Sequence, residues 1–497
     1  MGKSFGNLMV VFLIIFSLNK IISKGNEIKN IELNTPIILK INKQKIMIDR
    51  FSLNKVYNIN ELNSEVPIEF EIEYAPEEIE LKILGNVLKN KTKIKIEKIA
   101  REIKIPIEIL NKSNNLKSIC HINTLHEKFP KYTVIGESPY PGDYYGDFIS
   151  DNNNIEKKDS MFIYKMNSKG EILYYKKHTS TISDFKKTKL KNNQIRYSYF
   201  LQDENAYSYE GVGYGPTKLI IMDENYDIID EVTSKQFKEI PENFPLESHD
   251  SLIVNDGHYI TAAYFGKIVN NVDKDLIENH NGSRVIASIL QEVKDGKVIW
   301  QWDSTEHPEL YKLSVEGNDF KNSTSKWADY IHFNSVTIDP KDGNLMCSFR
   351  NIDSILKIER GTGKILWILG GKGDQFGLTE EQKFSRQHYA RFIKDGSITL
   401  FDNGNLSGKS RVLEIKMDEK NKKILNYKDF YLNDYFSFAC GSTDKLDNKK
   451  DVFIIGWGMG DFSKRENMTE IDFSTNKKIF ELIFHGNMTT YRITKIK

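Results

Sequence analysis

The sequence predicts an all-β fold: a six-bladed β-propeller preceded by a small β-sandwich. Three observations carry this expectation. First, one strand–turn–strand unit returns six times, as MFIYKMNSKGEILYYKK (161–177), KLIIMDENYDIIDEV (218–232), ASILQEVKDGKVIWQWD (287–303), SILKIERGTGKILWILG (354–370), RVLEIKMDEKNKKILNYKDF (411–430) and MTEIDFSTNKKIFELIF (468–484). Second, His249, His332 and His388 each precede a short apolar strand, an Asp-Gly turn (Asp256-Gly257, Asp342-Gly343, Asp395-Gly396) and a further strand. Pairing the two hairpin types gives four-stranded units, and repeats of that size indicate propeller blades. Third, apolar and charged residues alternate at period two from about 26 to 115, as in VPIEFEIEYA and TKIKIEKIAREIKIPIEIL, the mark of half-buried strands.

The 497 residues exceed a usual single domain. Residues 1–24 read as a signal peptide: Lys3 supplies positive charge, the apolar run Leu8 to Leu18 is short for a membrane span, and Asn19 and Lys20 end it. No Cys follows the run, so no lipoprotein anchor is expected. Export to a periplasm, with no membrane anchor after cleavage, is the expectation. Residues 25–125 form the sandwich, with antiparallel strands and no chemical cluster. Residues 126–497 form the propeller. Its repeats are unevenly spaced, and the excess falls at 268–282 and 303–328, which read as insertions at its mouth. The stretch PYPGDYYGDF (139–148) offers an aromatic wall or closes the first blade.

Composition narrows the function. A net charge of +1 gives no reason to expect a nucleic-acid partner. Hydrophobic content of 39% and charged content of 28% suit a soluble globular protein. Cys120, Cys347 and Cys440 lie far apart without metal-ligand spacing, so neither a disulfide framework nor a cysteine zinc site is expected. Cys347 reads as a small buried hydrophobe. Trp300, Trp302 and Trp367 read as packing residues, and Trp457 sits among glycines.

Equivalent positions of a radial repeat point to a common axis, so His249, His332 and His388 are expected to converge. Two residues apart on a strand, His332 and Asn334 would share a face, and Arg350 ends the next strand of that blade. Imidazoles, an amide and a guanidinium together suit a tetrahedral oxyanion, since Arg binds two oxygens at once. A neutral imidazole is also a nucleophile. The other seven histidines lack this phase and read as surface or structural; Asp402, Asn403 and Gly404 read as a turn that could also line the pocket. A three-histidine metal site competes with this reading. Against it stand Arg350, which repels a cation, and the lack of an evident orienting carboxylate other than Asp250. A binding propeller without catalysis is the third reading.

The set resembles the bacterial arylsulfate sulfotransferases, which need no nucleotide-activated sulfate. The resemblance rests on His249-Asp250, on HFNS with His332 and Asn334, on Arg350 in CSFRN, and on SRQH with His388 before a DG turn and FDNG. It implies a ping-pong transfer of a sulfuryl group from a phenolic sulfate ester to a second phenol, without cofactor or metal. His388 would be the sulfated nucleophile. His249, His332 and Arg350 would be its catalytic partners, and Asn334 would bind the sulfuryl oxygens. The resemblance also implies an exported homodimer. One departure stands out: several members carry a short-range disulfide before the nucleophile, whereas residues 370–387 contain no Cys. That loop is expected to be held by packing.

Overall fold

A computed structural model describes residues 31–497 except 42–43, 52–55, 61–67, 84–85, 97–103, 113–115, 126–127, 149–160, 204–205, 210–211, 213–214, 278–281, 322–325, 433–434, 461–465 and 487. The signal-like segment 1–24 therefore lies outside the described residues. The chain divides into two compact units, Met1–Phe129 with Ile172–Tyr174, and Pro130–Glu171 with Tyr175–Lys497.

The first unit contains a four-stranded and a five-stranded sheet. Period-two alternation is visible in Ile79–Ile83, where Ile79, Leu81 and Ile83 are buried and the residues between them are not. These residues join Leu39, Ile41, Phe70, Ile72, Ile105 and Ile107 in one apolar cluster drawn from both sheets, which makes a sandwich. One pairing departs from the antiparallel expectation. Val56–Asn60 runs parallel to Leu116–Leu125. The two strands are far apart in sequence, so no hairpin turn sets their direction.

The second unit is a β-propeller. Its described residues form six sheets of four or five strands, and consecutive strands within each sheet are neighbours. The repeated hairpins from residue 218 onward fold as antiparallel pairs; Ser354–Ile358 with Ile365–Leu369 and Arg411–Asp418 with Lys423–Tyr431 are examples. Inner strands such as Leu345–Phe349 and Val452–Gly456 are buried along their whole length, because both faces meet neighbouring sheets. They accordingly read as mostly apolar runs, LMCSF and VFIIG, whereas the outer strand Lys423–Tyr431 is largely exposed.

The ends of this unit interlock. The C-terminal strand Ile493–Ile496 pairs with Asp143–Asp147 in the first sheet, and Tyr132–Gly136 pairs with Lys477–Phe484 in the last. Such closure protects the sheet edges. The stretch 139–148 therefore closes a sheet, with Tyr144 and Tyr145 fully buried. The tryptophans pack as expected: Trp302, Trp367 and Trp457 are almost wholly buried. Trp457 Nε1 donates to Thr469 Oγ1 at 3.0 Å. All three cysteines are buried.

The candidate active site

The first strands of adjacent sheets, such as Phe333–Ile338 and His388–Phe392, touch one another. The histidines sit at the entry to these strands, so the repeat brings them together. The ring centroids of His249 and His332 lie 5.0 Å apart, and those of His249 and His388 lie 6.5 Å apart. All three are buried.

Each ring is held by Nδ1. His249 Nδ1 lies 2.5 Å from Glu247 Oε2. His332 Nδ1 lies 2.6 Å from Asp329 Oδ2. His388 Nδ1 lies 2.7 Å from Asn403 Oδ1 and 2.9 Å from the Arg386 carbonyl. Among the described residues Nε2 of each ring has no hydrogen-bond partner. Three second nitrogens are thus left for a ligand.

The tautomer of His388 follows from its surroundings. Asn403 Nδ2 donates to the carbonyls of Ser437 and Cys440 at 2.7 and 3.0 Å, which fixes Oδ1 towards the imidazole. Both partners of Nδ1 are therefore acceptors, Nδ1 carries the proton, and Nε2 of the neutral ring carries a lone pair. Burial pushes the His388 pKa well below its ordinary 6.5; the Asn403 hydrogen bond opposes this, and His249, Arg350 and Arg492 reinforce it. His332 is likewise lowered, by burial and then by His249 and Arg350. Burial raises Asp329 to about 7, against the pull of Arg350 and His249.

Backbone geometry at this point is unusual. His332, Arg386 and Tyr389 have φ of 56°, 56° and 57°, a left-handed region that costs energy for residues with a Cβ. The strand begins only at Phe333. His332 thus precedes the strand, and the expected sharing of a strand face by His332 and Asn334 does not hold. Asn334 is fully buried, and its Nδ2 donates to the Gln387 carbonyl at 2.6 Å. The amide thereby holds the backbone directly before His388. Arg350 lies one residue beyond its strand, in a 3-10 turn, and its N–H donates to the His332 carbonyl at 2.8 Å. Its guanidinium meets Asn351 Oδ1 at 2.7 Å and Glu316 Oε2 at 3.2 Å.

Asp250 does not orient a histidine. It accepts from Lys186 Nζ at 2.6 Å, Arg391 Nη2 at 2.7 Å and the Val336 N–H at 3.0 Å. Burial alone would raise its carboxyl, yet Arg391, Lys186 and Arg492 hold it well below the usual carboxylate range. Arg492, also fully buried, joins Asp184 and the Asn334 carbonyl at 2.8 and 2.7 Å. Charged groups from several sheets thus cross the centre of the propeller.

Sequence reading missed Glu247, Asp329, Arg386 and Arg492, as well as Tyr264 and Tyr491, whose rings lie 5.3 Å from His332 and 5.8 Å from His249. The two carboxylates had a signal. They precede their histidines by two and three residues, in ESH and DYIH. Contrary to the sequence expectation, two of the three imidazoles do have an orienting carboxylate. Among the described residues, though, the group whose ligand atoms all lie within 4.8 Å of one another is Asp339, Asp342 and Glu419, not the histidines.

The loop before His388 is held without a disulfide. Asp374 accepts from the N–H groups of Gly370 and Leu378 at 2.9 and 2.8 Å. Arg411 donates to the carbonyls of Glu381 and Lys383 at 3.0 and 2.6 Å. Phe376 and Phe384 are buried beside Trp367.

Fold and site define an all-β propeller with an imidazole and guanidinium centre suited to a tetrahedral oxyanion. Residues 186–460, more than half of the chain, match the family described as Arylsulfotransferase (ASST), and the chain belongs to that family. Arylsulfotransferase activity, with phenolic substrates, is the general chemistry this membership assigns. The match spans His249, His332, Asn334, Arg350 and His388. A search of curated proteins found no match.

Among solved structures, a Bacteroides caccae protein of unknown function is similar at 14% identity and TM-score 0.42, over 72% of this chain and 99% of its own. A Dyadobacter fermentans protein of unknown function is similar at 10% identity and TM-score 0.38, over 72% and 94%. The Dos1 propeller is similar at 9% identity and TM-score 0.32, over 94% and 95%.

Proposed function

We propose that this protein moves a sulfuryl group from a phenolic sulfate ester to another phenol in two half-reactions, through a sulfohistidine at His388. The clamp on His388 Nδ1, made by the Arg386 carbonyl and Asn403 Oδ1, carries this reading. It presents a neutral ring with its Nε2 lone pair uncommitted. In the first half-reaction Nε2 attacks sulfur, an N–S bond forms, the S–O bond to the aryl group breaks, and the departing phenolate takes a proton. In the second, a phenol gives up its proton, its oxygen attacks sulfur, and the N–S bond breaks.

Arg350 supplies N–H donors to the sulfuryl oxygens, where charge builds in transfer. Nε2 of His249 and of His332 supply further contacts and the proton traffic. Asn334 acts through the backbone it holds beside His388. Residues 1–24 are read as an export signal, the location as periplasmic and the working form as a homodimer. Among the described residues no helix is long and apolar enough to cross a membrane.

The pairing of His249 and His332 with carboxylates favours a second reading, a metal centre, since metal-binding imidazoles are commonly oriented this way. Steady-state kinetics with 4-nitrophenyl sulfate and phenol separate the two. The transfer reading predicts parallel double-reciprocal lines, insensitivity to chelators and no product from His388→Ala. Undiminished sulfation by that variant would sink it.

A further inference from the structure

One segment beside the site has no part in the mechanism above. After the 3-10 turn Pro308–Leu313 the chain runs through Ser314, Val315, Glu316 and Gly317. Val315 N–H donates to the Asn351 carbonyl at 2.9 Å. Gly317 has φ of 63°, and a Cβ there would lie 2.3 Å from the Asp329 carbonyl oxygen. The segment is therefore seated against the residues that hold His332, and only glycine allows that approach.

This seat aims the Glu316 carboxylate between two guanidiniums. Its Oε2 lies 2.6 Å from Arg386 Nε and 3.2 Å from Arg350 Nη1. The oxygen is sealed from solvent yet makes no well-aligned hydrogen bond, while the side chain as a whole is 41% exposed. The contact is one of charge more than of directed bonding. Both arginines also have other partners. Arg350 has Asn351, and Arg386 has Asp353, which accepts from its backbone N–H at 2.8 Å and lies 3.4 Å from its Nη1. Each arginine thus keeps a partner besides Glu316. The backbone of both arginines abuts the reacting residues: the Arg350 N–H donates to the His332 carbonyl, and the Arg386 carbonyl accepts from His388 Nδ1. Their guanidiniums lie close enough to act on the rings by charge, both on His332 and Arg350 also on His388.

We propose that Glu316 is a displaceable counter-anion that occupies the position of a sulfuryl oxygen between Arg350 and Arg386, and so sets specificity for donors whose head group is itself negatively charged. The inference rests on the sulfuryl-transfer reading and deepens it. A neutral phenol cannot replace the carboxylate, because the two guanidiniums would lose their anion in a partly buried place. A sulfate monoester brings its own charge and geometry matched to a guanidinium pair, so it can.

The test uses the full-length protein with Glu316→Gln and Glu316→Ala. Inorganic sulfate binding is read by calorimetry, and KM and kcat are read with 4-nitrophenyl sulfate. The expected result is a tightening of sulfate binding by about tenfold in both variants, a similar fall in KM and a kcat within about twofold of the parent, the signature of altered ground-state binding. Unchanged or weaker sulfate binding in the two variants, with melting temperatures like the parent's, would overturn the proposal. Should the parent protein transfer no sulfuryl group, the calorimetric arm still decides whether Glu316 competes with an oxyanion, so the two readings fail separately.

Discussion

Two polar clusters in the propeller unit, each with carboxylates around a nitrogen base, behave in opposite ways. In the first, Lys357 places its ammonium 2.6 Å from Asp339, 2.7 Å from Asp342 and 2.6 Å from Glu419. Trp367 Nε1 donates to Glu419 as well, at 3.0 Å. The same three carboxylates are spaced as metal ligands, but the lysine already stands among them. In the second cluster, Glu247, Asp329 and Asn403 each secure one nitrogen of an imidazole and leave the other unused. The first cluster spends its polar groups on one another. The second spends half of them on positioning and keeps the rest for something that arrives.

The comparison can be broken at either cluster. The largest effect on stability is expected from Lys357→Met, which leaves the buried Asp339 carboxylate without its cation; a loss of about 3–5 kcal/mol in denaturant unfolding is expected, with kcat and KM unchanged at a temperature where the variant is folded. A change in kcat would show that the first cluster is not merely structural.

Asn403→Ala should act the other way. Loss of the acceptor that fixes the His388 tautomer should cost about 10²–10⁴ in kcat, on the scale of losing the orienting partner of a catalytic histidine. Near-parent turnover would mean that the Arg386 carbonyl alone suffices.

The smallest effect concerns pH. His388 must be neutral to attack, and its pKa in the folded protein lies well below 6.5. The acid limb of kcat/KM assigned to this group should accordingly fall below pH 6.5. The stability linkage has a definite sign. Below about 6.5 the unfolded chain binds the proton that folded His388 refuses, so this group's contribution lowers stability as pH falls through that range. An acid limb at or above 6.5 that moves in Asn403→Ala would contradict the assignment.

Much of the fold was legible because hairpins are local. Each repeated unit needs only its own turn and its own alternation, and the strands at 354–358 and 365–369 fell where SILKIERGTGKILWILG placed them. The convergence of His249, His332 and His388 was legible for a related reason, since radial repetition turns equal phase into spatial proximity. What could not be read depends on contacts distant in sequence. The parallel partner of Val56–Asn60 lies more than 60 residues away. Asn334 sits two residues from His332, yet its amide serves Gln387, because the left-handed turn at His332 breaks the strand periodicity on which the pairing relied. Glu316 lies in an insertion whose residue types carry no signal until Arg350 and Arg386 are brought beside it. Glu247 and Asp329 were legible in principle, a few residues upstream of their histidines, whereas the downstream Asp250 is engaged by Lys186 and Arg391.

The central claim is that His388 bears the sulfuryl group covalently. Intact-protein mass measured after brief mixing with an aryl sulfate, with no acceptor present, tests it directly. The account predicts a gain of one SO3 group, matched by one equivalent of released phenol and absent in His388→Ala. No gain and no phenol released, or a gain that persists in His388→Ala, would contradict it.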